Sequence, residues 1–208
     1  MNLKILIATF LVCLLATVAT AAELFHMPAL YKVTGVASDD TLNVRAGPFS
    51  GADKLDELAH DATGIEVIAL NEEATWGQIG SPETNGWVSM AYLTAMPDTA
   101  PGIPPGMSCG GTEPFWGITF HGATADYSDP VESFPSLSVT TARSAIRSDP
   151  AQFGFEAATP TGRISGSIDA TRCSDGMSDR EFGWRVILLR RDADGASLER
   201  GCCTLDQR

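Results

Sequence analysis

Twelve residues near the middle of the chain, Met96-Pro-Asp-Thr-Ala-Pro-Gly-Ile-Pro-Pro-Gly-Met107, hold four prolines and two glycines. Proline fixes its own φ and has no N–H to donate, so neither a helix nor an inner strand can run through this segment. It predicts an extended connector, and therefore a boundary between a unit at 23–95 and another at 108–208. Neither flank shows the apolar stripe of an amphipathic helix. Both show short runs of period-two alternation separated by turn residues. The fold class expected is all-β: a small barrel followed by a second antiparallel barrel or sandwich. With 44% hydrophobic and only 19% charged residues, the chain is no solvated disordered polymer.

Residues 1–22 read differently from the rest. One cation, Lys4, precedes the apolar run Ile5–Ala19, and the small residues Ala19-Thr-Ala21 lie before Ala22. This is the layout of a cleaved secretory signal peptide, placing the mature protein in the periplasm or outside the cell, with no transmembrane segment after cleavage. Cys13 lacks the small preceding residue that lipid attachment requires. Four cysteines then remain, Cys109, Cys173, Cys202 and Cys203, all in the second half. An even number in an oxidising compartment predicts disulfides, with three pairings open, although adjacent Cys202 and Cys203 are poorly placed to bond to each other.

Charge is uneven. The formal net charge is −12. Residues 23–95 hold 3 basic and 11 acidic side chains, net −8, and residues 108–208 hold 10 and 14, net −4. Such an acidic chain is unsuited to nucleic acid, whose phosphates must be met by Lys and Arg.

In the first half, strands are predicted at 31–36, 41–45, 64–70, 76–79 and 86–90, with Asn85-Gly86 a strong hairpin signal. The series Leu42-Asn-Val-Arg-Ala-Gly-Pro48, Leu58, Gly64-x-x-Val67, Trp76 with Ile79, and Gly86-Trp-Val-Ser-Met-Ala-Tyr-Leu93 resembles a bacterial SH3 domain. The resemblance covers about 31–94. It implies an SH3-like barrel of the kind appended to exported proteins, which holds cell-wall peptide or glycan, or an envelope protein partner, and is not an enzyme. The groove residues it points to are Trp76, Trp87 and Tyr92, whose rings can stack on a sugar or peptide, while the surrounding acids suit a free amine. The competing assignment makes Trp87 and Tyr92 core residues and has Asn43 and Arg45 brace the Gly47-Pro48 turn.

The second half predicts strands at 116–120, 136–140, 152–156, 163–170, 184–190 and 197–204. Gly111-Thr-Glu-Pro-Phe-Trp116, Cys173-Ser-Asp-Gly-Met-Ser-Asp-Arg180 and Gly201-Cys202 resemble a family of bacterial envelope domains without an assigned activity. Glu113, Trp116, Asp175 and Asp179 are thus a possible second site or a shared structural knot. An EF-hand reading fails: with Gly176 as the loop glycine, the earlier ligand positions fall on Thr171, Cys173 and Asp175, only one of them a carboxylate. No His follows Cys173, which speaks against a cysteine peptidase, and the ligand set of a zinc amidase is missing. The Arg190-Arg191 pair reads as the solvated flank of a strand. The expectation is a non-catalytic envelope protein with no metal and no cofactor; the alternative is a redox or metal-handling domain using its cysteines.

Overall fold

The computed structural model describes residues 27–97, 100–143 and 151–208; the expected signal segment lies outside them. The first unit contains β1 (Ala29–Val33), β2 (Thr41–Arg45), β3 (Lys54–Ala59), β4 (Ile65–Leu70), β5 (Trp76–Gly80), β6 (Asn85–Ser89), a single 3₁₀ turn (Met90–Tyr92) and β7 (Leu93–Ala95). They form one antiparallel sheet in the order β3-β2-β6-β5-β4-β1-β7. Its core draws Leu58 from one edge strand and Tyr31 and Val33 from near the other, joined by Leu42, Val44, Ile65, Val67, Ile79 and Val88. A sheet whose opposite edges share one core is curled upon itself, and here the edge strands β3 and β7 are not hydrogen-bonded to each other.

Two of these seven strands go beyond the five expected. In β3, Lys-Leu-Asp-Glu-Leu-Ala, Leu58 is the one buried side chain, so the strand gives little alternation to read. β7 spans three residues, too few for a period.

The second unit contains β8 (Ser108–Thr112), β9 (Phe115–Phe120), β10 (Thr124–Ser128), β11 (Ser133–Arg143), β12 (Gln152–Ala158), β13 (Gly162–Ser174), β14 (Glu181–Asp192) and β15 (Gly195–Thr204). These eight antiparallel strands close into a barrel, β10-β11-β12-β13-β14-β15-β8-β9, deciding between barrel and sandwich. β8 and β10 were not anticipated, because Ser-Cys-Gly-Gly-Thr and Thr-Ala-Asp-Tyr-Ser are poor in β-branched and aromatic residues. The interior is filled by side chains, with Phe120 edge-on to Phe155 and Trp184 tilted against Phe153. The proline-rich segment packs on this barrel at its far end. Ile103 and Met107 are buried in the barrel core, and backbone bonds Gly106 N to Phe120 O and Phe120 N to Met107 O extend the ladder.

The two units are docked. Glu66, on the outer face of β4, is 2% exposed. Its Oε1 accepts from Trp184 Nε1 at 2.8 Å and the Leu205 amide at 3.0 Å, and its Oε2 from Thr204 Oγ1 at 2.6 Å. Nearby, Asn85 and Glu181 exchange two bonds, Nδ2 to O at 3.0 Å and N to Oδ1 at 2.7 Å. The Gln207 amide donates to Gly64 O at 3.0 Å, and Arg208 to Gly80 O at 2.5 Å. Gly64 has φ +72, and a Cβ there would lie 2.8 Å from Gln207 Cβ, so glycine meets both the backbone and the space requirement.

Candidate binding face

The period of two that buries Val44, Ile79 and Val88 turns their neighbours outward. Arg45 on β2 is register partner to Trp87 on β6, and Trp87 to Gln78 on β5. The three side chains therefore form one cross-strand row on the outer face of the sheet. Asn43 extends the face along β2 and Trp76 along β5. Trp76, Trp87, Asn43 and Arg45 are all half-buried. Trp87 is thus not a core residue: Gly86 and Val88 on either side of it face inward.

Arg45 has a structural duty as well. Its Nη1 donates to Ala52 O at 2.9 Å, tying β2 to the far side of the loop that contains Gly47-Pro48. Tyr92 departs from the row. It sits on the 3₁₀ turn, 43% exposed, with Cδ1 beside Gly35 at the β1 side of the sheet. Gln78 was not anticipated. Its Oε1 is buried and meets no donor among the described residues, on the strand beside Trp87. A glutamine between two tryptophans carries no motif of its own, so only strand register brings it to notice.

The second unit borders this face. Arg180 stacks on Phe182, its Cζ 4.7 Å from the ring centroid, and a Cβ on Gly80 would stand 2.5 Å from its Nη2. The guanidinium thus lies over β5 two residues beyond Gln78. Acceptor and cation share one side of one strand.

The residues of the possible second site separate. Trp116 is 5% exposed, and its indole lies where side chains on Gly111 and Gly201 would be: a Cβ at Gly111 would stand 2.2 Å from Nε1, and one at Gly201 3.0 Å from Cζ2. Asp175 caps its own turn, its Oδ1 accepting from the Met177 and Ser178 amides at 3.0 and 3.1 Å. Those backbone donors hold its carboxyl below the ordinary range. Thr112 Oγ1 donates to Asp175 O at 3.0 Å, which joins the two motifs. Glu113 and Asp179 are exposed on their turns. Thr112 thus ties the two motifs together, while Trp116 lies in the barrel core and Asp175 caps its own turn.

Cys109 bonds to Cys203 and Cys173 to Cys202. The adjacent cysteines face opposite sides of β15, which gives each a different partner. Among the described residues no group of three or more His, Cys, Asp or Glu is placed to hold a metal ion, and no helix is long and apolar enough to cross a membrane. No protein-family model, curated protein or solved structure matches this chain.

Proposed function

We propose that this is a non-catalytic protein of the bacterial cell envelope, exported to the periplasm or beyond, whose SH3-like unit binds cell-wall peptide or glycan through the outer face of β2, β6 and β5. The observation that carries the reading is the row Arg45, Trp87, Gln78, flanked by Asn43 and Trp76. It combines half-exposed indoles for stacking with a buried acceptor that has no donor. Leaving a buried carbonyl unpaired costs about 1–3 kcal/mol; Gln78 Oε1 is fully covered, so the side chain must turn outward for a ligand N–H or O–H to recover that cost. Indole faces stack on sugar rings and peptide planes with little entropy to lose. The net charge of −8 over residues 23–95 draws ligands with a free amine, as wall peptides carry. Tyr92 stands on the 3₁₀ turn beside Gly35, outside this cross-strand row.

An exported partner protein presenting an extended segment is the other occupant such a face would take. The redox and metal-handling alternative has less support, since both cysteine pairs are bonded and three of the four residues are buried. Co-sedimentation of the mature protein with purified peptidoglycan tests the proposal. Retention is expected, with Trp87→Ala and Trp76→Ala each reducing it about tenfold. No retention, or retention unaffected by both substitutions, contradicts it.

A further inference from the structure

The outward face of β12, β13 and β14 in the second barrel, remote from the tryptophan row, holds a groove of 690 Å³ between the β12–β13 and β14–β15 turns. Strand register sets its floor. Glu156, Ser165 and Leu189 form one outward row, continued past the groove's edge by Leu198, and Arg163 and Arg191 stand in the next, flanked by Ala158 and Ala196. Leu198 is 64% exposed beside Leu189. Arg163 and Arg191 are direct cross-strand partners, a placement in which two like charges repel.

The sequence pair Arg190-Arg191 is split by the pleat. Arg190 turns to the inner face, where Asp129 and Glu132 clamp it, each at 2.5 Å. Arg191 turns out and makes no hydrogen bond or ion pair with any described residue. Arg163 meets Glu156 at 3.2 Å through Nη1, leaving other N–H donors open. The second carboxylate at the groove, Asp192, is engaged: its Oδ1 accepts from the Asp194 and Gly195 amides, and its Oδ2 lies 3.5 Å from Arg190. In a chain with a large acidic excess, this groove pairs an unopposed cation with a half-satisfied one, beside exposed leucine.

We propose that this groove is a second binding site, for a small carboxylate with an aliphatic body. The carboxylate bridges Arg191 and Arg163, relieving their repulsion, and the chain lies over Leu189 and Leu198. The volume is in the range of ordinary small-ligand sites, and guanidinium forks match carboxylate oxygens in pairs. Free fatty acids and the C-terminus of an apolar peptide both present this chemistry.

The test is calorimetric titration of the mature protein with octanoate, octanol and N-acetyl-leucine. Octanoate is expected to bind at least about tenfold more tightly than octanol, and Arg191→Ala to lose about tenfold in octanoate affinity. Arg191 is exposed and bonds to no described residue, so this variant should keep the wild-type melting temperature, and Leu198→Ser serves as a second probe of the aliphatic contact. Tighter binding of octanoate than of N-acetyl-leucine assigns the site to free fatty acids, and the reverse order to peptide C-termini. Octanol binding as well as octanoate, or Arg191→Ala binding octanoate like wild type, overturns the proposal.

Discussion

A single carboxylate carries much of the contact between the two units. Burial pushes the Glu66 carboxyl above its ordinary value of 4.5, helped by the nearby Asp206 and opposed by donors on Thr204, Leu205 and Trp184. The folded protein therefore keeps a proton that the unfolded chain has already released. Between 4.5 and the raised value this contribution to stability falls as pH rises, and below that window it is fully present. Glu66→Gln retains two acceptor bonds and its Nε2 can donate to the Thr204 hydroxyl oxygen, yet it carries no charge. Its melting temperature should gain on wild type as pH rises above 4.5. Parallel melting profiles would contradict this account. Glu66→Ala instead strands three donors and should lower Tm by roughly 10 °C at and below pH 4.5, a deficit that narrows as pH rises through that window.

At the scale of elements, most strands are legible from alternation, and those missed are the ones that physics leaves unmarked. β3 is nearly all exposed, β7 is short, and β8 is built from Ser, Cys, Gly and Thr. The disulfide pairing needed the fold, because β8 lies beside β15 only once the barrel has closed. Cys109 is then register partner to Cys203, and Cys202 is turned to Cys173. The closed loops differ, 94 residues apart in one pair and 29 in the other. Chain entropy then assigns about 4.7 kcal/mol to the first and about 3.6 kcal/mol to the second. Replacing Cys109 and Cys203 by alanine should thus lower the midpoint of chemical denaturation more than replacing Cys173 and Cys202. The reverse order would show that strand pairing, not loop closure, sets their value. The motif residues were legible as a group, but sequence could not separate site from knot: only the close approach of Gly111 and Gly201 to Trp116 shows what glycine does at those two positions.

At the scale of the whole molecule, the proline segment marks where one sheet ends and the next begins, yet its second half belongs to the barrel core. Sequence shows the division. It does not show the docking, because Glu66, Asn85 and Gly64 are unremarkable until the partner residues 181–208 reach them. The same holds for the proposed binding face. Trp76, Trp87, Asn43 and Arg45 were recognisable one by one, and register unites them, adds Gln78 and leaves out Tyr92. The chain holds four tryptophans: Trp76 and Trp87 on the proposed face, Trp116 in the knot and Trp184 bonded to Glu66. Their four indole N–H signals in a ¹H–¹⁵N NMR spectrum therefore report separately on face, knot and interface. On titration with a purified disaccharide-peptide fragment of peptidoglycan, the signals of Trp76 and Trp87 are predicted to shift while those of Trp116 and Trp184 stay in place. Four unmoved signals, or shifts confined to Trp116 and Trp184, would contradict the assignment of wall binding to this face.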